Sequence, residues 1–231
     1  MKKNKKSKVP QSIGFILDGN RRWAKKKGDT SYKGHENGVK KLKELVVWIK
    51  NAGVKYLTIY GFSTENWNRD PKEIEHLLNL FRKFFQEEIP YAEKNGIHIR
   101  CIGDIEKFPK DVQKNIKEAE KRTRKNKSLT LVLALSYGGR REILSAIKKL
   151  NPRTLKKLTE KEFSKHLWTK DIPDPDIIIR TGGNMRLSNF LPWQSVYSEF
   201  FFPRVYFPDF TKGHLSRIIR AYEKRERRFG A

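Results

Sequence analysis

Short apolar runs of strand length alternate with helix-period segments along most of this chain, and that alternation restricts the fold more than any other feature. Ile13, Phe15, Ile16 and Leu17 make the first run. Residues 54–60, 97–102, 129–135 and 176–179 make four more, and 205–210 reads as a sixth. Between the first two, Gly34 to Gly38 opens a helix with Val39, Leu42, Leu45, Val46 and Ile49 on one face. Asp70-Pro71-Lys72-Glu73 is a strong helix start, followed by Ile74, Leu77, Leu78, Leu80, Phe81, Phe84, Phe85 and Ile89. Pro90 marks that helix's kink or end. Strand, helix, strand, helix predicts an α/β fold: a single mostly parallel sheet flanked by helices, in one domain over residues 12–231. Residues 1–11 read as a disordered basic tail.

A parallel sheet gathers the carboxyl ends of its strands along one edge, where open α/β folds bind ligands. The ends here carry chemistry. The first offers Asp18-Gly19-Asn20 followed by Arg21, Arg22 and Trp23; Gly19 lets the backbone approach a ligand closely. The second offers Ser63, Glu65, Asn66 and Arg69, the fourth Gly138-Gly139-Arg140, and the fifth Arg180, Arg186 and Ser188. One carboxylate among several arginines, hydroxyls and amides suits two phosphorylated groups and Mg²⁺, which binds through one or two carboxylates plus substrate phosphate. Arginine fits phosphate because its planar fork reaches two oxygens at once. Any one of the 51 Lys and Arg residues is better read as a solvated surface charge. Their repeated placement after strand ends carries the argument.

A net charge of +25 calls for an anionic partner: nucleic acid, an acidic membrane surface or phosphorylated substrates. The single cysteine, Cys101, excludes an internal disulfide and a zinc cluster and suits a reducing cytosol. The basic start is not followed by the apolar core of a signal peptide, and no run approaches the ~20 residues of a membrane span. A cytoplasmic protein is therefore expected, or one peripheral at a membrane. There is no Walker-type loop and no G-x-G-x-x-G after a strand. The histidines lack metal-ligand spacing, and Asp174-Pro175-Asp176 precedes a strand, at the wrong end of the sheet. The basic patches lack interleaved aromatics, so no nucleic-acid partner is expected.

Five ordered segments carry a resemblance: DGNRRWA at 18–24, GHENG at 34–38, FSTENWNR at 62–69, YGGRREI at 137–143 and IRTGGNMRLSNFLPWQSVYSE at 179–199. The chain resembles the cis-prenyltransferase, or undecaprenyl diphosphate synthase, family over most of its length. The resemblance implies a hydrophobic tunnel, a homodimer, and Mg²⁺-dependent sequential condensation of isopentenyl diphosphate onto an allylic diphosphate, giving a product of undecaprenyl type. It implies that Asp18 is essential and binds Mg²⁺, with Glu199 as the second metal carboxylate. Gly19, Asn20, Arg21, Arg22 and Trp23 would hold the allylic diphosphate, with His35 on a substrate loop. Asn66 would stand at the proton acceptor's place, with Ser63, Thr64, Glu65, Trp67 and Arg69 around it. Arg180, Arg186, Leu187 and Ser188 would form the homoallylic diphosphate site. Arg228-Phe229-Gly230 resembles the family's Arg-x-Gly tail. Three positions depart from the pattern: Ser31 for an arginine, Asn184 for a glutamate, and Arg21 for a glycine common in bacterial members. The first is expected to remove a diphosphate contact and the second to weaken metal handling. A partner subunit that keeps the fold without the chemistry, or a basic RNA-binding domain, are the competing readings.

Overall fold

The computed structural model describes residues 9–225, so residues 1–8 of the expected tail, and all of Arg228-Phe229-Gly230, lie outside the described residues. Gln11 is tied into the sheet. Its carbonyl accepts from the N–H groups of Lys55 and Tyr56, both at 3.0 Å, and its own N–H donates to Asp176 at 2.7 Å.

Among the described residues six strands form one sheet, and every pairing is parallel. They are β1 (Ser12–Ile16), β2 (Tyr56–Ser63), β3 (Ile97–Ile102), β4 (Leu129–Tyr137), β5 (Ile177–Arg180) and β6 (Glu199–Phe201), in the order β3-β4-β2-β1-β5-β6. The alternation of β4 explains its nearly continuous apolar sequence. Leu129, Leu131, Leu133 and Leu135 join the larger core on one face, while Val132 and Ala134 join a second core on the other. A strand covered on both faces has no polar side to show. The chain runs outward from β1 in one direction through β2, then returns to add β5 and β6 on its other flank. Ligands bind at such a reversal, beyond the carboxyl ends of β1, β2 and β5.

The helices are α1 (Asn20–Lys26), α2 (Ser31–Asn51), α3 (Pro71–Lys94), α4 (Lys110–Thr123), α5 (Gly139–Ile147), α6 (Pro152–Leu155), α7 (Glu160–Ser164) and α8 (Lys212–Lys224). Three details differ from the sequence reading. First, α2 begins at Ser31 rather than at Gly34, because Thr30 caps it by accepting from the Lys33 N–H. Gly34 and Gly38 instead let α2 lie against Asn20: a Cβ at Gly34 would stand 2.4 Å from the Asn20 carbonyl. Second, α3 passes through Pro90 to Lys94. Pro90 is exposed, so the carbonyl its ring leaves unpaired can be satisfied by solvent. Third, the sixth strand is Glu199–Phe201, and 205–210 is not a strand but holds a 3₁₀ turn, Phe207–Asp209. Pro208 has no N–H for a ladder, and Phe207 and Phe210, three apart, both turn inward onto Phe15.

Candidate active site

A cavity of about 1720 Å³ opens above the strand ends and continues between the sheet and helices α2 and α3. Its two halves differ in chemistry. Asp18, Arg21, Arg22, Arg69, Arg140, Arg180 and Arg186 line one part; Leu42, Leu77, Leu80, Phe81, Phe84, Ile59, Leu133 and Leu135 line the other. Leu77, Leu80, Phe81 and Phe84 of this lining come from the stripe of α3, whose period also serves the core, so one helix face both packs the fold and walls the cavity.

Asp18 sits where the backbone leaves β1. Gly19 adopts φ 107°, and a Cβ there would meet the Tyr206 ring at 2.7 Å, so the turn out of the strand requires glycine. Oδ2 of Asp18 accepts from Arg180 Nε at 3.1 Å and Nη2 at 2.8 Å, and from Asn184 Nδ2 at 2.9 Å. Oδ1 lies 3.1 Å from Arg22 Nη2. Burial alone would raise the carboxyl's pKa; the hydrogen bonds from Asn184 and Arg180, with the charges of Arg180 and Arg22, outweigh it and hold the pKa below the usual range. Arg180, buried, also donates from Nη1 to the Arg186 carbonyl and to Ser188 Oγ at 2.8 Å. It thereby joins the β1 end to the 186–188 segment, where Ser188 stands at φ 49°.

A second group surrounds the turn after β2. Ser63 caps a 3₁₀ segment, Thr64–Asn68, and the Ser63 N–H donates to Asn66 Oδ1 at 3.0 Å. That bond fixes the side chain, and its NH₂ is available to the cavity Asn66 lines. Behind the wall, the buried Glu73 accepts from Arg69 Nη1 at 3.0 Å and meets His35 Nε2 at 3.2 Å, while Arg21 stands 4.0 Å away. Burial lowers the His35 pKa, an effect Glu73 opposes and Arg69 reinforces. A neutral ring beside a carboxylate carries its proton on Nε2. Glu65 lines the same region; burial raises its pKa, but its own backbone N–H, the Ser63 hydroxyl, Asn189 and Thr64 lower it further.

Among the residues singled out in the sequence, Asp18, Gly19, Asn20, Arg21, Arg22, His35, Ser63, Glu65, Asn66, Arg69, Arg180, Arg186 and Ser188 line the cavity. Others lie elsewhere. Trp23 donates to Asp209 at 2.8 Å, and Trp67 donates to Ser136 and packs on Phe62 and Phe108. Thr64 lies against Gly138, and Leu187 packs on the second core. Glu199 starts β6 opposite Ile177, at the far end of the strands from Asp18, and pairs with Arg225. Within one chain it does not join Asp18.

Sequence reasoning passed over Tyr60 and gave Glu73 only a helix-start role. Tyr60 lines the cavity, stacks on Phe190 at 4.7 Å and reaches the carbonyls of Tyr137 and Ser188; burial, with the nearby Glu65 charge, raises its pKa. Neither residue had a sequence signal separable from strand core and helix cap.

A family model described as "Putative undecaprenyl diphosphate synthase" matches residues 16–230. An isoprenyl transferase of Thermotoga maritima is 45% identical over 96% of this chain and 97% of its own. A tritrans,polycis-undecaprenyl-diphosphate synthase (geranylgeranyl-diphosphate specific) of Pyrococcus furiosus is 44% identical over 100% of this chain and 90% of its own. The fold superposes on lavandulyl diphosphate synthase from Lavandula x intermedia, solved with dimethylallyl diphosphate, with a TM-score of 0.91 at 34% identity, covering 96% of this chain and 99% of that one. With its parallel sheet, its arginine-ringed carboxylate and its apolar cavity, this chain belongs to the undecaprenyl diphosphate synthase family of prenyl transferases.

Proposed function

We propose that this chain condenses isopentenyl diphosphate repeatedly onto an allylic diphosphate, building a cis-polyprenyl diphosphate of undecaprenyl type, and that residues 12–231 act as one catalytic domain. The observation that carries this reading is one continuous cavity with cations at one part and an apolar lining at the other. Diphosphates and a growing hydrocarbon chain need both at once. Arg21 and Arg22 hold the allylic diphosphate; Arg186, with Ser188 and the Arg180 that braces them, holds the other. In the condensation, the allylic carbon–oxygen bond breaks, a carbon–carbon bond forms, and a proton leaves the new chain. The arginines stabilise charge gathering on the departing diphosphate. Asn66 donates through its NH₂ and orients a substrate. An amide is too weak a base to take a proton, so the proton passes to a diphosphate oxygen or to water.

The donor set fits Mg²⁺ held chiefly by substrate phosphates. Asp18 offers one lightly engaged oxygen, and no group of three metal-ligating side chains occurs among the described residues. When bound, the ion would neutralise diphosphate charge. Asp18 would be its ligand on this chain.

We further propose a homodimer and loose attachment to anionic membranes. Exposed Val196, and Phe200 on the edge strand β6, favour a second copy there. No helix among the described residues is long and apolar enough to cross a membrane, and the net charge of +25 favours an acidic surface. Incubation with labelled isopentenyl diphosphate, Mg²⁺ and allylic primers of increasing length tests the reaction. Elongated products confirm it; absence of product with every primer rejects it in favour of the non-catalytic subunit.

A further inference from the structure

The Asp18 carboxylate is loaded unevenly. Oδ2 receives three N–H donors, two from Arg180 and one from Asn184 Nδ2 at 2.9 Å. Among the described residues Oδ1 meets only Arg22, a side chain 42% exposed, at 3.1 Å. Two carboxylate oxygens offer about four lone-pair sites between them, so Oδ2 has no room for a cation and Oδ1 does. Asn184 is held for this contact by its turn. Gly182 and Gly183 stand at φ 82° and 74°, and their N–H groups donate to the carbonyls of Val205 at 2.7 Å and Pro203 at 3.1 Å. That pins the loop carrying Asn184 to a neighbouring segment. The amide's orientation is fixed by chemistry, since only its NH₂ can face a carboxylate oxygen. An ionised glutamate at 184 would have no proton to donate and would repel Asp18.

We propose that Asn184 is a positioning residue: together with Arg180 it fixes the plane of the Asp18 carboxylate and reserves Oδ1 as the one oxygen presented to a divalent cation carried on a diphosphate. This rests on the reading above that Asp18 is the cation's ligand. Donors to metal-ligating groups orient them, and their loss typically weakens metal affinity about 10- to 100-fold. The neutral amide at 184 is then a working part of the metal site, contrary to the weakening its departure from the family suggested.

The test measures Mn²⁺ binding to the full chain by electron paramagnetic resonance, with inorganic diphosphate present, for wild type, Asn184→Leu, Asn184→Ala and Asp18→Asn. Asn184→Leu keeps the volume and Asn184→Ala removes it; both delete the donor. The expected result is a Mn²⁺ Kd raised about 10-fold or more in both Asn184 variants, with diphosphate affinity measured without metal unchanged. Unchanged or tighter Mn²⁺ binding in those variants overturns the proposal. So does an equal loss of metal-free diphosphate affinity, which would make Asn184 an anion contact. If Asp18→Asn binds Mn²⁺ as wild type does, the metal reading itself fails and the proposal falls with it.

Discussion

Arg180 Nη1 reaches Ser188 Oγ at 2.8 Å while Nη2 of the same guanidinium reaches Asp18 at 2.8 Å. One buried side chain therefore ties the β1 end to the loop after β5, and the two proposed diphosphate sites share a strut. Arg180→Ala should raise the KM of both substrates at least 10-fold and lower stability by about 3 kcal/mol, the low end for breaking a buried charged pair. Arg186→Ala removes an exposed, cavity-lining cation and should raise KM for isopentenyl diphosphate alone, about 10-fold, for a lost charged hydrogen bond of ~1.5–3 kcal/mol. Steady-state kinetics and urea melts on both variants check this. Identical kinetic patterns would mean the sites are not divided in this way.

Asn66 separates a structural bond from a chemical one. Asn66→Asp keeps an oxygen for the Ser63 N–H and deletes the NH₂; Asn66→Leu deletes both. The aspartate variant should melt close to wild type yet lose about 10²- to 10³-fold in kcat, the usual effect of removing one donor to developing charge. Full activity in Asn66→Asp would show that only the cap matters.

Acid should weaken the fold in two stages. Burial lowers the His35 pKa below 6.5, so the folded state favours the neutral ring and the unfolded chain protonates first. That stability is complete above the unfolded value and is lost as pH falls through it toward the folded one. The depressed Asp18 carboxyl adds stability above its unfolded value of 3.8, lost as pH falls below that toward its folded pKa. Urea denaturation of wild type and His35→Gln should show their stability difference changing between about pH 7 and 5. A constant difference over that range would mean His35 titrates normally.

Leu42 and Phe84 line both the large cavity and a second one of about 20 Å³ beyond it. Phe84→Ala should open the first into the second and lengthen the product by at least one isoprene unit, at a stability cost of about 3 kcal/mol. Chromatography of the dephosphorylated products reads this directly. An unchanged length distribution would place the limit elsewhere.

The sheet was legible because strands buried on both faces leave unmistakable apolar runs, and the site because a parallel sheet collects its strand ends. What escaped had a signal outweighed by composition or none that was local. The stretch 205–210 has strand composition, but Pro208 and the spacing of Phe207 and Phe210 turn it into a 3₁₀ bend. Trp23 and Trp67 sit inside site motifs, yet their N–H groups hold Asp209 and Ser136, contacts that only folding creates. Glu73 looked like an ordinary first-turn acid; its work depends on His35 and Arg69 arriving from other elements.

The apolar half of the cavity is bounded by Ile59, Leu133 and Leu135 of the sheet and by Leu42 and Phe84 of the helices, side chains that elsewhere would simply touch one another. The molecule thus folds around a gap in its own interior. On the proposed reaction, each added isoprene unit fills part of that gap, so the growing lipid becomes progressively more a component of the protein. Affinity for the chain should climb with every cycle, early intermediates should detach more readily than late ones, and departure of the finished lipid, rather than bond formation, should limit steady turnover.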